Sequence, residues 1–187
     1  FIGTDISSHM IERHQKILKN KPVQLYVCSA DELNTLPGAP WDCIVMNSVS
    51  QYFPSLDYFE SVLENMLQCL TNDGCIFIGD IRNKDKHEEL IQEKLIYEKE
   101  KYDLAAIQYW ISRETELLIS PHYFDALAKN NESLKVSIYY KDGLDNELTR
   151  YRYDVVIQLN NIQWDKKILF EKKDVAYANT CLLYTSR

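Results

Sequence analysis

Short apolar runs alternate with amphipathic segments along the first half of the chain. The runs that are typical of strands lie at residues 1–4, 23–28, 43–47 and 75–79. A helix capped by Ser7 or Ser8 is predicted to reach about Asn20, and a second, strongly amphipathic helix begins after Ser55. Strands that alternate with helices in this way predict a parallel, doubly wound α/β sheet.

The second half of the chain has a different pattern. A charged segment at about 84–130 predicts helices that lie too far along the chain for a simple crossover, so we expect a helical cap. Beyond it, LKVSIYY and TRYRYDVVIQL alternate around KDGLDNEL and predict an antiparallel hairpin. Arg150 and Arg152 are then expected to share one face of the last strand. The predicted fold class is α/β, with a mostly parallel sheet, an antiparallel C-terminal hairpin and a helical cap insertion.

The domain is predicted to cover residues 1–159. Residues 160–180 are interpreted as a linker or tail, and CLLYTSR at 181–187 resembles the translation of a sequencing adapter. Because the chain opens inside a strand, we expect it to be a fragment of a longer protein.

Composition excludes several classes of function. The net charge of −7 argues against a nucleic-acid or anionic-membrane binder, and no run approaches the roughly 20 apolar residues of a membrane span. Five cysteines without a CxxC motif favour reduced thiols in a cytoplasmic protein. The four histidines share no spacing with cysteines or carboxylates, so no metal site is predicted.

Polar residues stand at the carboxyl end of each predicted parallel strand, where open α/β sheets bind ligands. These residues are Asp5, Ala30 with Asp31, Asn47 with Ser48, and Gly79 with Asp80. A carboxylate after such a strand can accept two hydroxyl protons from a ribose. Taken singly, Asp5 could be an acid that merely precedes a helix and Asp31 could simply cap a turn. Their coincidence at one edge favours a ligand site.

The motifs GTDISSHMIE, MNSVSQYFPS, IFIGDIRN, ELLISPHYF and NELTRYRYDVV together resemble the methyltransferase domains embedded in non-ribosomal peptide synthetases. The resemblance covers about 1–159. It implies a class I S-adenosylmethionine fold and methyl transfer, usually to the α-amine of an aminoacyl group on a carrier-protein thioester. The implied partners are the carrier protein and the adjacent adenylation domain.

The resemblance assigns cofactor contacts residue by residue. Asp5 matches the acid that binds the ribose hydroxyls, and Ile6 is placed against the adenine. Asp31, after Ala30, matches the contact to the adenine amine.

Asn47 and Ser48 match the family motif beside the sulfonium, and Gln51 opens the helix-entry loop at the same edge. A cationic sulfonium favours nearby amide oxygens, which Asn47 and Gln51 can supply.

The same comparison assigns the acceptor side. Asp80, Arg82 and Asn83 match the motif that faces the acceptor. Asp80 and Glu147 are our candidates for accepting the amine proton, and Tyr52 is a candidate for shaping the pocket.

One part of the family pattern is absent, namely the first strand and its glycine-rich loop, which would lie between the strands at 1–4 and 43–47. We therefore expect a gap between those strands, and an isolated chain that is inactive and prone to aggregate. Two alternatives stay open: carbon methylation in a polyketide or hybrid assembly line, and a catalytically silent interaction domain of the same fold. A nicotinamide-dependent oxidoreductase is disfavoured because no GxGxxG occurs.

Overall fold

Strands and helices alternate in the computed structural model, which describes residues 1–98 and 103–159. The strands are β1 (Ile2–Asp5), β2 (Gln24–Val27), β3 (Trp41–Asn47), β4 (Leu70–Arg82), β5 (Leu134–Tyr140) and β6 (Arg152–Leu159). The helices are α1 (Ser8–Ile17), α2 (Leu56–Gln68), α3 (His87–Tyr97), α4 (Leu104–Ser112), α5 (Pro121–Asn130) and α6 (Glu147–Tyr151). The predicted tail at 160–180 and the segment at 181–187 lie outside the described residues.

The strands form two separate sheets. β1 pairs in parallel with β2, while the larger sheet has the order β3–β4–β6–β5. β3 and β4 are parallel, and β6 is antiparallel to both β4 and β5. Within the described residues, β1 and β3 make no ladder with each other and share no neighbouring strand, as expected for a gap or a rearranged neighbour between them.

One face of the larger sheet carries the hydrophobic core. Side chains from its strands pack against α2 and α5, and those of Ile76, Ile78, Val155 and Ile157 are fully buried. An edge-to-face contact between Phe59 and Phe124, with ring centroids 6.0 Å apart, joins the two helices over the sheet. These four strand residues stand at alternate positions of β4 and β6, so a one-residue slip in register would move them to the other face of the sheet.

Local hydrogen bonds set the helix starts. Ser7 and Ser55 accept from the backbone N–H groups of Met10 and Tyr58, which confirms the predicted caps of α1 and α2. α1 ends at Ile17, a few residues before the predicted Asn20, and a proline follows at position 22. A residue that precedes a proline disfavours the helical backbone conformation, so the sequence is consistent with a helix that ends before this proline.

The second half corrects one expectation. Residues Glu147–Tyr151 form α6 and do not belong to the last strand, because Asn146 and Thr149 make a reciprocal capping box. Arg150 therefore lies on a short helix, where it contacts Asp145 and Glu93. The prediction that Arg150 and Arg152 share a strand face is wrong.

Within the predicted cap at about 84–130, α3 and α4 form a unit of their own, whereas α5 packs against the large sheet. Ile91 and Leu95 of α3 pack against Ile107 of α4 in a small cluster separate from the main core. Within the part of the chain that is described, none of the helices has both the length and the apolar character needed to cross a membrane.

Candidate active site

The carboxyl ends of the parallel strands bring the predicted polar residues to sheet edges. Asp5 is the last residue of β1 and Asn47 is the last residue of β3, while Asp80 lies near the end of β4. β6 runs in the opposite direction, so its first residue, Arg152, comes to the same edge of the larger sheet. Chain direction alone therefore places Asn47, Asp80 and Arg152 at one edge of the large sheet and Asp5 at the corresponding end of the small sheet, the position where open α/β sheets bind ligands.

Asn47 and Ser48 sit in a turn that is held closed by β4. Ser48 has a positive φ of 55°, and its N–H donates to the Gly79 carbonyl at 3.1 Å. Asn47 Nδ2 donates to Ser48 Oγ at 3.0 Å. A Cβ at Gly79 would stand 2.0 Å from Asn47 Oδ1, so only glycine leaves room for this amide.

Asp80 is the centre of a charged network. Its carboxylate accepts from Ser48 Oγ at 2.7 Å and from Arg152 Nη1 at 2.8 Å. Its own N–H, at a φ of 65°, donates to Asp154 Oδ1 at 2.7 Å. Lys141 Nζ lies 2.8 Å from Asp154 and 3.6 Å from Asp80. Two cations thus compensate two carboxylates beside the end of β4.

Neither Lys141 nor Asp154 is among the site residues predicted from the sequence. A signal for both was present, because Lys141 directly follows β5 and Asp154 lies near the start of β6. Both positions belong to the same sheet edge as Asp80.

A cavity of about 510 Å³ adjoins this network. Asp80, Lys141 and Asp154 line its polar side, and Tyr139 and Leu148 contribute apolar surface. The cavity offers a mixed polar and apolar surface directly beside the polar end of β4.

The other predicted acceptor-side residues occupy different environments. Glu147 is half-exposed and accepts from Arg152 Nη2 at 3.1 Å. Tyr52 is 58% exposed at the end of a short 3₁₀ helix, whereas Gln51 is buried. Gln51 Oε1 has no hydrogen-bond partner within the described residues, and the main-chain carbonyl of Gln51 accepts from the Leu117 N–H at 2.8 Å.

Arg82 and Asn83 contact the segment that follows the cap. Arg82 Nη1 lies 2.8 Å from a carboxylate oxygen of both Glu114 and Glu116. Burial by itself would raise the pKa of Glu114, but the Glu116 N–H and the Arg82 guanidinium lower it below its usual value. Asn83 Oδ1 accepts from the Asp85 N–H at 3.0 Å. The structure thus places both side chains against these partners, and their acceptor-binding role stays a prediction.

His87, at the start of α3, is buried beside this ion pair. Its Nε2 lies 3.6 Å from Glu114 Oε2. Burial lowers the pKa of His87, Glu114 acts in the opposite direction, and Arg82 lowers it further. A neutral imidazole is therefore favoured in the folded cap.

On the small sheet, Asp5 turns the chain into α1. Its Oδ1 accepts from the Ser7 N–H at 2.8 Å, and Ile6 between them is 77% exposed. The hydrogen bond fixes the carboxylate, while the apolar side chain of Ile6 stands free at the strand end.

Asp31 lies in a 3₁₀ helix (Ala30–Thr35) that follows β2. Its Oδ1 accepts from Ser29 Oγ at 2.6 Å and from Tyr58 Oη at 2.7 Å. These hydrogen bonds, first from Ser29 and then from Tyr58, hold the pKa of the Asp31 carboxyl below its usual value. The carboxylate is thus an acceptor with one oxygen engaged by two donors.

A comparison with known protein families identifies the first part of the chain. Residues 1–76 match the family described as "Methyltransferase domain". Over these residues the chain belongs to this methyltransferase family. The predicted resemblance and the predicted enzyme class are confirmed.

Relatives of this methyltransferase domain include much longer proteins. It is 34% identical over 170 residues to chondramide synthase cmdD of Chondromyces crocatus, covering 85% of this chain and 4% of that protein. It is 29% identical over 177 residues to cyclosporin synthetase simA of Tolypocladium inflatum, covering 86% of this chain and 1% of that protein. The chain therefore spans only a few per cent of the length of these relatives.

A solved structure confirms the fold class. The plantazolicin methyltransferase BpumL, crystallised with a desmethyl-plantazolicin analogue and SAH, superposes with a TM-score of 0.55 at 14% sequence identity. The match covers 86% of this chain and 67% of that one. At this identity the likeness carries the fold alone, and the fold is the predicted class I α/β architecture.

Proposed function

We propose that the protein carrying this domain moves a methyl group from S-adenosylmethionine to the α-amine of an aminoacyl thioester held on a carrier protein. The observation that supports this most is the ordered set of polar residues at the sheet edge, Asp5, Asp31, Asn47 with Ser48, and Asp80. The relatives with similar sequences are peptide synthetases, which supports the assembly-line setting.

The residues present fit the proposed cofactor. Asp5 Oδ1 is held by the Ser7 N–H, and a carboxylate keeps further lone pairs to accept from a ribose diol. The exposed side chain of Ile6 offers an apolar surface for the purine. The glycine at position 79 leaves the space that Asn47 needs to lie at the end of β3. S-adenosylmethionine, when bound, supplies a methyl group already activated by its sulfonium.

The protein then has to orient the amine and let one proton leave. An α-amine has a pKa near ~8, so a weak acceptor or water suffices. Asp80 and Glu147 are the candidate acceptors, and the geometry favours Glu147. The Asp80 carboxylate is already engaged by Ser48, Arg152 and Lys141, whereas Glu147 is half-exposed and contacts Arg152 among the described residues.

We assign Asp80 a positioning role in this proposal. Its bond to Ser48 fixes the turn that carries Asn47, and its bond to Arg152 keeps that arginine beside Glu147. Proximity and alignment supply most of the rate in such a displacement, so a rigid network here is useful in itself. The proposed partners are the carrier protein and the adjacent adenylation domain of a cytoplasmic synthetase.

The experiment incubates the intact protein that contains this chain with S-adenosylmethionine and aminoacyl-loaded carrier protein. Fragmentation of the ejected product by mass spectrometry distinguishes N-methyl from C-methyl groups. N-methylation by the wild type, with Glu147→Gln reducing the rate and Tyr109→Phe on the exposed cap serving as control, supports the proposal. Carbon methylation of a β-ketoacyl thioester supports the assembly-line alternative, and absence of both cofactor binding and transfer supports a silent domain.

A further inference from the structure

One face of α2 holds the loop that contains Asp31. Tyr58 and Asn65 are seven positions apart, or two helical turns, so both side chains project from the same face. Tyr58 Oη donates to Asp31 Oδ1 at 2.7 Å, and Asn65 Nδ2 donates to the Asp31 main-chain carbonyl at 2.8 Å. Val62, between them, is fully buried. The helix therefore fixes both the backbone and the carboxylate of one residue.

Tyr58 is the more dedicated of the two donors to the carboxylate. Ser29 Oγ lies 2.6 Å from Asp31 Oδ1 but also 2.9 Å from Glu32 Oε2, and a hydroxyl has only one proton to give. Tyr58 Oη has Asp31 as its acceptor. Burial, together with the hydrogen bond to Asp31, raises the pKa of Tyr58 to about 12, so its hydroxyl keeps the proton that it donates.

The hydrogen bonds to Asp31 are unevenly distributed. Both side-chain donors contact Oδ1, and within residues 1–98 and 103–159 the structure gives Oδ2 no hydrogen bond. A carboxylate anchored through one oxygen presents the other in a defined direction. That oxygen can accept from an amine but cannot donate, because the carboxylate is ionised.

The ring of Tyr58 connects this loop to the turn after β3. Phe53 contacts it edge to face, with centroids 4.9 Å apart and an interplanar angle of 73°. Phe53 ends the short helix that contains Gln51 and Tyr52. The same side chain thus touches the elements predicted to contact the adenine and those predicted to contact the sulfonium.

We propose that Tyr58 is a positioning residue that orients Asp31 toward the 6-amino group of the cofactor's purine and so makes the site selective for a 6-aminopurine. This inference rests on the proposed function, since it deepens the role of Asp31 in cofactor binding. Tyr58 acts through Asp31 and does not itself touch the ligand.

The test is a thermodynamic cycle in which the protein hydroxyl and the ligand amine are removed separately and together. It is carried out on the intact protein that contains this chain. Calorimetry measures the Kd of S-adenosylhomocysteine and of its analogue whose purine lacks the 6-amino group. Tyr58→Phe keeps the ring contact with Phe53 and removes only the hydroxyl. Tyr109→Phe, which removes a hydroxyl from an exposed tyrosine of α4, is the matched control.

We expect the wild type and the control to bind S-adenosylhomocysteine about tenfold more tightly than the analogue, a preference within the range for one hydrogen bond to a charged group. Tyr58→Phe should reduce that preference to about threefold or less, weakening the amine-bearing ligand while leaving the analogue nearly unchanged. In turnover assays, KM for S-adenosylmethionine should rise and kcat should stay unchanged.

Several outcomes overturn the inference. An unchanged preference in Tyr58→Phe, or equal weakening of both ligands, shows that the hydroxyl does not act through the amine. If Tyr58→Phe does not fold, Ser29→Ala takes its place, with a smaller shift expected in the same direction and an unchanged preference contradicting the proposal. If the wild type binds neither ligand, the proposed function itself is contradicted, and this result is distinguishable from the failure of the Tyr58 inference.

Discussion

The two sheets contribute to the proposed site in different ways. In the small sheet, no residue of β1 or β2 is fully buried, whereas β4 and β6 of the large sheet carry most of the fully buried strand residues. Both sheets nevertheless place a carboxylate at a strand end, Asp5 on one and Asp80 on the other. Strand direction, and not burial, decides where the polar residues lie. Burial decides how firmly they are held.

This difference explains why contacts from outside the small sheet are needed there. Asp80 is held by neighbours within its own sheet, such as Arg152 and Asp154. Asp31 follows the small sheet and is held by Tyr58 and Asn65 of α2, which packs on the large one. Helix α2 therefore supplies, for the small sheet, the support that the large sheet provides for itself.

The largest expected effect concerns the isolated chain of 187 residues. Both β1 and β3 have an edge that pairs with no strand among the described residues, and the apolar side chain of Val45 on β3 is 61% exposed. Unpaired strand edges that carry exposed apolar side chains are templates for pairing with another chain. We expect the chain alone to aggregate or to melt without a sharp transition.

Thermal unfolding combined with amide exchange tests this expectation. A sharp cooperative transition, with amides of β3 protected as well as those of β4, would show that the gap is tolerated and that the two sheets are stable without a strand between them.

A second prediction compares two strand glycines. A Cβ at Gly79 would stand 2.0 Å from Asn47 Oδ1, whereas a Cβ at Gly3 would meet the flexible end of Leu25 at 2.8 Å. Gly79→Ala must displace Asn47 from the end of β3. Because a displacement of about 1 Å near the chemistry can cost about 100-fold in rate, we expect a loss of that order in methyl transfer. Gly3→Ala should cost far less, since the leucine can move.

Turnover of both variants in the intact protein checks this prediction. Equal losses of turnover in the two variants would show that the turn at Asn47 and Ser48 does not position groups for the reaction.

The smallest expected effect is a pH dependence of the cap. The folded pKa of His87 is depressed, so the unfolded state binds more protons, and its contribution to stability is present above about 6.5 and is lost as the pH falls below that value. Glu114 also has a lowered pKa, but its contribution is lost only below its ordinary value near 4.5. We expect protection of α3 amides, corrected for intrinsic exchange, to fall between pH 7 and pH 5.

His87→Phe is the control for this window, because phenylalanine does not titrate there. A wild type whose protection is flat from pH 7 to pH 5, or a His87→Phe protein with the same slope, would contradict the account of His87.

The sequence was sufficient for the features that follow from local pattern. The uninterrupted apolar run before Asn47 and the 3–4 spacing after Ser55 predicted β3 and α2, and strand order then placed the polar ends. It failed at α6, because TRYRYD alternates like a strand while the capping box formed by Asn146 and Thr149 is stronger locally.

The missed parts of the site depend on long-range contacts. Tyr58 reads as one more residue of an amphipathic helix, and its hydroxyl meets Asp31 across 27 positions of the chain. In the sequence alone, Lys141 cannot be told from an ordinary loop lysine. The pairing of β5 with β6 brings it to Asp154. No periodicity encodes such pairs, which appear only when the sheet order is known.

The most direct measurement of the central claim is a calorimetric titration of the intact protein with S-adenosylhomocysteine, repeated with Asp5→Asn. Asparagine retains an oxygen for the Ser7 N–H, so the turn into α1 is kept while the charge that would grip the ribose diol is lost. We predict saturable binding by the wild type and at least about tenfold weaker binding by the variant. No binding by the wild type, or equal affinity in Asp5→Asn, would contradict the assignment of this sheet edge as the cofactor site.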